Sequence, residues 1–166
     1  MSAVFADALR DQMRRLDSAL ARIDGAEKAD DVHRARIAAK RLRYLLEPLG
    51  EREGVAESVR QLRSLQRQLG DARDAHRIAT RLIREIGEHA ARDARGRALR
   101  SAGLVLRDDA EPQRPIGSRS ALTDLARRAQ LAREAAYAEY ATHWQDGELA
   151  AFAERIEGIA ARVAEG

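Results

Sequence analysis

Residues 32–47, V-H-R-A-R-I-A-A-K-R-L-R-Y-L-L-E, hold six side chains that can carry positive charge and one acid, Glu47. Successive residues of a helix turn by about 100°. On that wheel His33, Arg36, Lys40, Arg43 and Tyr44 fall together, with Glu47 at their end. Ala35, Ala38, Ala39, Leu42, Leu45, Leu46 and Leu49 share the opposite face, and Ile37 adds to the apolar content that a core would take. Like charges three and four residues apart each cost a few tenths of a kcal/mol, so packing does not account for the basic row. Arginine's planar fork matches phosphate oxygens, which makes the row a candidate anion site; a solvated basic face is the competing account.

Other cations repeat the pattern less cleanly. Arg77, Arg81 and Arg84 form a second stripe, with Glu85 and Glu88 close enough in sequence to pair with it. Arg60, Arg63 and Arg67 lie largely opposite the leucines of their own segment, on a side expected to face solvent. Arg133 falls among Leu122, Ala129, Ala136 and Tyr140, on an inward side. A buried guanidinium needs a partner, for which Glu139, Asp146 or a bound anion are the choices.

Signs of turnover are missing from the sequence. His33, His76, His89 and His143 are widely separated, without metal-ligand spacing such as H-E-x-x-H. No G-x-x-x-x-G-K-[ST] or G-x-G-x-x-G occurs, no Ser-His-Asp or Cys-His cue is present, and Asp71 with Asp74 reads as a capping arrangement. A phosphoryl-transfer site would need carboxylates for a divalent metal, and the basic row offers none in register. The expectation is a binding protein, not an enzyme, with no catalytic residue, metal or cofactor.

The elements that must hold these residues read as helices throughout. Phe5, Leu9, Met13, Leu16, Leu20 and Ile23 make one stripe over residues 3–24, closed by Gly25. Asp30 or Asp31 can cap a second helix that ends before Pro48. Val55, Val59, Leu62, Leu65 and Leu69 mark a third helix closed by Gly70, and a fourth follows from Asp71 with Ile78, Leu82 and Ile86 in register. Its far end is left open by Gly87, Gly96 and Gly103. A loop is expected at about 108–118, where two of the three prolines fall, then helices at about 120–144 and 148–163. The fold class is therefore all-α: an antiparallel, up-down bundle of about six helices with a four-helix core, in a single domain over 1–166.

Composition sets the outer bounds. The 166 residues are 45% hydrophobic, 34% charged and only 4% aromatic, which suits a helical globular domain with a core of its own. Cysteine is absent, which excludes disulfides and thiol chemistry. The N-terminal stretch lacks a secretory apolar core and no run nears the roughly 18 apolar residues of a membrane span, so a cytoplasmic location is expected. The net charge is +3, with 28 arginines against two lysines, a skew that a coding bias toward arginine would also produce.

The basic helix followed by L-R-S-L-Q-R-Q-L-G-D-A-R-D-A resembles the CHAD domain family. Its members carry H-x-x-R-x-x-x-[KR]-[RK]-L-R and, one helix later, L-Q-x-x-L-G-x-x-x-D; both stand between His33 and Asp74 in the same order. The likeness is good over 1–86 and loose over 120–164. It implies non-catalytic binding of inorganic polyphosphate on basic surfaces, with roles for His33, Arg36, Lys40, Arg41 and Arg43, and more weakly for Arg77, Arg81 and Arg84. It also points to polyphosphate granules as a location. The alternating E-x-E-x-K strand motif of the triphosphate-tunnel domain fused to some members is absent. Members usually contain two related bundles, whereas this chain has one copy of the motif, closer to the second. A channel between two copies would then need a second chain, so a homodimer is expected. The alternatives are a nucleic-acid binder and a structural helical scaffold. The first is disfavoured because Tyr44 is the sole aromatic near the basic row and residues 32–47 contain no Asn or Gln for base reading.

Overall fold

A computed structural model describes residues 3–25, 28–104, 116–144 and 147–165, with backbone only at 116–119 and 143. Its described residues form five α-helices and no strand: α1 (Ala3–Leu20), α2 (Ala29–Leu46), α3 (Val55–Ser101), α4 (Ile116–Trp144) and α5 (Glu148–Glu165), with a 3-10 turn at Glu47–Leu49. The all-α expectation holds. Of the loop expected at 108–118, residues 108–115 lie outside the described residues, and 116–118 already belong to α4.

The apolar stripes form the helices that they mark, but two stops fall elsewhere. The helix closed by Gly70 and the one begun at Asp71 are a single element, α3. Glycine inside a helix costs about 1 kcal/mol relative to alanine, and burial of Leu69 and Ala72 on either side of Gly70 outweighs that cost. The stop comes at Gly103, whose φ of 67° suits glycine. There the Gly103 amide donates to Arg100 O and the Leu104 amide to Leu99 O, the paired bonds of a Schellman end. Conversely α1 ends at Leu20 rather than beside Gly25, although Ile23 beyond it is still buried. α2 stops before Pro48 as expected. Its N-cap position is Lys28, and Asp30 and Asp31 fall in the first turn, where their charge favours the amide end of the helix dipole.

Contacts divide the chain into two compact units, one of residues 1–74 and 132–166, the other of 75–131. The first holds the core. Leu9, Leu16 and Leu20 of α1 join Leu42 and Leu46 of α2, Leu62, Leu65 and Leu69 of α3, Tyr140 and Trp144 of α4, and Phe152 and Ile156 of α5. Trp144 meets Phe152 edge to face, with centroids 5.5 Å apart, a favoured aromatic geometry. The Tyr140 hydroxyl donates to Leu20 O at 3.4 Å, and burial pushes its pKa up to about 12. Polar contacts tie the periphery. Arg10 forks onto Glu157, Gln68 donates to Glu139 at 3.1 Å, and Arg155 donates to Gln61 at 2.6 Å. Arg10 holds the Glu157 carboxyl below its ordinary range.

The second unit is built differently. Among its described residues Ala79 alone is buried, while Ile78, Ile83, Leu125 and Leu131 are about half exposed or more.

Candidate functional site

α2 sorts its side chains into three faces. Val32, Ala35, Ala39, Leu42 and Leu46 are buried in the core. His33, Arg36, Lys40 and Arg43 stand together on the opposite side, as the wheel places them, with Arg36 and Lys40 exposed and His33 and Arg43 half-buried. His33 is the fifth residue of the helix, one turn in from its start. Arg41 points elsewhere. It shares a third face with Arg34 and Ile37 and lines a groove against α1. Ile37, which adds to the apolar content of the sequence, is 36% exposed there instead of joining the core.

The basic row is held by three contacts. The first is Glu47, which accepts from Arg43 at 2.8 Å and from Arg63 of α3 at 3.2 Å. This carboxylate links α2 to α3, and Arg63, exposed as expected, reaches the end of the row. The second is Tyr44, whose half-exposed ring has Lys40 5.4 Å and Arg43 4.9 Å from its centroid. Cation–π contact of this kind is worth about 0.5–1 kcal/mol at exposed sites. The third is Gly70, where an added Cβ would lie 3.7 Å from Arg36 Nε. The L-G step of the second motif thus sits beside the arginine of the first.

What remains unanswered is positive. Arg36 and Lys40 make no ion pair among the described residues, although Arg43 and Arg63 share one carboxylate. His33 Nδ1, Arg43 Nε and Gln66 Nε2 are enclosed polar atoms without a hydrogen-bond partner. Gln66 lies one turn before Gly70 on the same helix. Buried polar atoms of this kind are normally satisfied; these three are not.

Arg77, Arg81 and Arg84 belong to the second unit and are exposed on one stripe of α3. Glu88 stands 3.8 Å from Arg84, whereas Arg77 and Arg81 make no ion pair among the described residues. Arg133 is half-buried. Of the acids that could partner it, Glu139 accepts from Gln68 and Asp146 lies outside the described residues. Among the described residues, no group of three His, Asp or Glu residues could hold a metal, and no helix is long and apolar enough to cross a membrane.

Two parts of this arrangement escaped sequence reasoning. The Arg43–Glu47 pair has i, i+4 spacing and was legible, but the reach of Arg63 to the same carboxylate joins residues sixteen apart. The departure of Arg41 from the row was readable on the wheel, yet the motif position groups it with its neighbours.

No curated protein and no solved structure matches the chain. The profile of the CHAD domain family does, over residues 1–83. That span is half of the 166 residues and holds the α2 row, Glu47, Arg63 and Gly70; the chain belongs to the CHAD domain family.

Proposed function

We propose that this chain binds inorganic polyphosphate, without turning it over, on the α2 face formed by His33, Arg36, Lys40 and Arg43. The observation that carries this reading is the surplus of charge at Arg36 and Lys40, which have no acid partner among the described residues, beside an Arg43 already fixed by Glu47. A repeating phosphate chain offers oxygens at every step, and charge-assisted contacts from guanidinium and ammonium are the strong class of hydrogen bond. Family membership is compatible with the same ligand. Arg77, Arg81 and Arg84 serve as a weaker second contact, and Arg41 lies off the row.

The finer architecture belongs to this reading. Short connections after α1 and α4 fold successive helices back on each other, giving an up-down bundle with a four-helix core. Two such chains associate to complete a channel, in the cytoplasm and at polyphosphate granules. Light scattering of a strict monomer that still binds long polyphosphate tightly would remove the dimer.

Titration with long-chain polyphosphate and with DNA of matched charge, over several salt concentrations, tests the ligand. Tighter binding of polyphosphate at every salt supports the reading, and preference for DNA sinks it. Binding of neither leaves a structural scaffold.

A further inference from the structure

The third face of α2 carries a feature that the polyphosphate row does not use. R-L-D-S-A-L-A-R runs from Arg15 in α1 to Arg22, two residues past the helix end, and α2 contains R-A-R-I-A-A-K-R from Arg34 to Arg41. Both follow one spacing, R-x-x-[SI]-A-x-x-R. α2 packs against α1, and the two patterns face a common groove of about 520 Å³. Arg15 and Arg22 line it from one side, Arg34 and Arg41 from the other, with Ala19, Ile37 and Ala38 as its apolar lining beside Gln12 and Ser18. Seven residues at 1.5 Å rise separate Arg34 from Arg41 by about 10.5 Å, two helical turns, and Arg15 and Arg22 have the same spacing in sequence.

Charge at the groove is not balanced within the chain. Five arginines line it, counting Arg14. Asp11 serves both Arg14 and Arg15, and Asp31 serves Arg34. Arg22 and Arg41 make no ion pair among the described residues, so three positive charges are left over. The apolar lining meanwhile exposes an isoleucine that the core could have taken. An inorganic anion gains nothing from that lining, and a flat bilayer does not follow a groove between two ridges.

We propose that the α1–α2 groove docks an acidic amphipathic helix of a partner protein. Its small apolar residues would seat on Ala19, Ile37 and Ala38, and carboxylates on its flanks would meet the unpaired Arg22 and Arg41 and share Arg15 and Arg34 with Asp11 and Asp31. Helices that recognise a groove in this way present anchors at three- and four-residue steps, and flanking charge pairs set partner and orientation as they do in coiled coils. The small lining residues let the two backbones come close. The proposal is independent of the polyphosphate reading, since none of the row's His33, Arg36, Lys40 and Arg43 lines this groove.

The test is fluorescence anisotropy of the full chain with a labelled synthetic helix carrying Leu and Ala on one seam and Glu at seven-residue intervals on both flanks. A second peptide of the same composition with the glutamates scrambled is the control. The ordered peptide should bind and the scrambled one should not. Arg22→Glu with Arg34→Glu, both exposed, should weaken binding at least roughly tenfold, because each reversal turns an attraction into a repulsion. Ile37→Gln should weaken it with the charges intact. Polyphosphate affinity should be unchanged in Ile37→Gln, which leaves every charge in place. Equal binding of the two peptides, no binding, or indifference to these substitutions overturns the proposal. So does loss of binding to phosphatidylserine vesicles in the double variant while its peptide binding is unaltered, since the groove would then serve a lipid surface.

Discussion

The two units of this chain carry arginine rows of similar length on very different foundations. In the unit of residues 1–74 and 132–166, five helices bury leucines and aromatics in one cluster, and the α2 row stands on the back of that core. In the unit of 75–131, Ala79 is the sole buried residue among those described, and Arg77, Arg81 and Arg84 share their helix with Glu85 and Glu88. A side chain whose backbone is packed loses less freedom when it meets a ligand, so a row fixed by Glu47, Tyr44 and the core is organised in advance. Charge count alone would rank the rows as equals. Their supports separate them.

The largest effect expected from this contrast is on folding. Leu65→Ala should cost about 2–5 kcal/mol, the range for a large residue removed from a packed core. Ile83→Ala, at a side chain 61% exposed, should stay within roughly 0.5 kcal/mol. Urea denaturation reads both, and equal losses would mean that the second unit has a core of its own.

Next comes ligand affinity. Arg36→Ala with Lys40→Ala should weaken polyphosphate binding roughly 100-fold, at about 1.5 kcal/mol for each charged contact. Arg77→Ala with Arg81→Ala should weaken it by no more than about tenfold, the equivalent of one such contact. Calorimetric titration distinguishes the pairs, and the reverse order would move the site to the second unit.

The pH dependence of stability is also confined to one unit at its alkaline end, since residues 75–131 contain no tyrosine. Tyr140 is raised from 10.0 to about 12 by burial. The folded state keeps the phenolic proton in that window while the unfolded state releases it, so stability is full below about pH 10 and falls as pH climbs toward 12. The loss is on the order of 2 kcal/mol at the top of the window. Tyr140→Phe should flatten this limb in a series of melts at rising pH.

The smallest effect is at the helical glycines. Gly70→Ala and Gly87→Ala should each stabilise by about 0.5–1 kcal/mol. An added Cβ meets only Arg36 Nε at 3.7 Å in the first case and nothing within 4 Å in the second. Thermal melts measure the gain. A loss of polyphosphate affinity at Gly70→Ala alone would show that Arg36 uses that space when the ligand binds.

How much could be read in the sequence follows the same division. The leucine stripes of α1, α2 and the first half of α3 are long and regular, and the residues they name are buried, except Phe5 and Leu45, which are partly buried against the core. The α2 row was equally readable, because a wheel places side chains well inside a continuous helix. Gly70 was the harder position. Glycine is both a common helix stop and a tolerable interior residue, and only the burial of Leu69 and Ala72 around it decides. Contacts between distant residues, such as Glu47 with Arg63, depend on how helices pack and leave no local signal. The groove of the mirrored arginines was readable in principle, since both copies of its spacing lie within residues 15–41. The stronger cluster of charge one face away drew the reading instead.

The central claim is that Arg36 and Lys40 contact phosphate directly. Its most direct test is the salt dependence of polyphosphate affinity in the native chain and in the Arg36→Ala, Lys40→Ala variant. Each direct phosphate contact releases about one counterion, as with nucleic acids. The slope of log affinity against log salt should therefore shrink by roughly 1 to 2 in the variant. An unchanged slope, with affinity unchanged at every salt, would contradict the account and leave the row a solvated face.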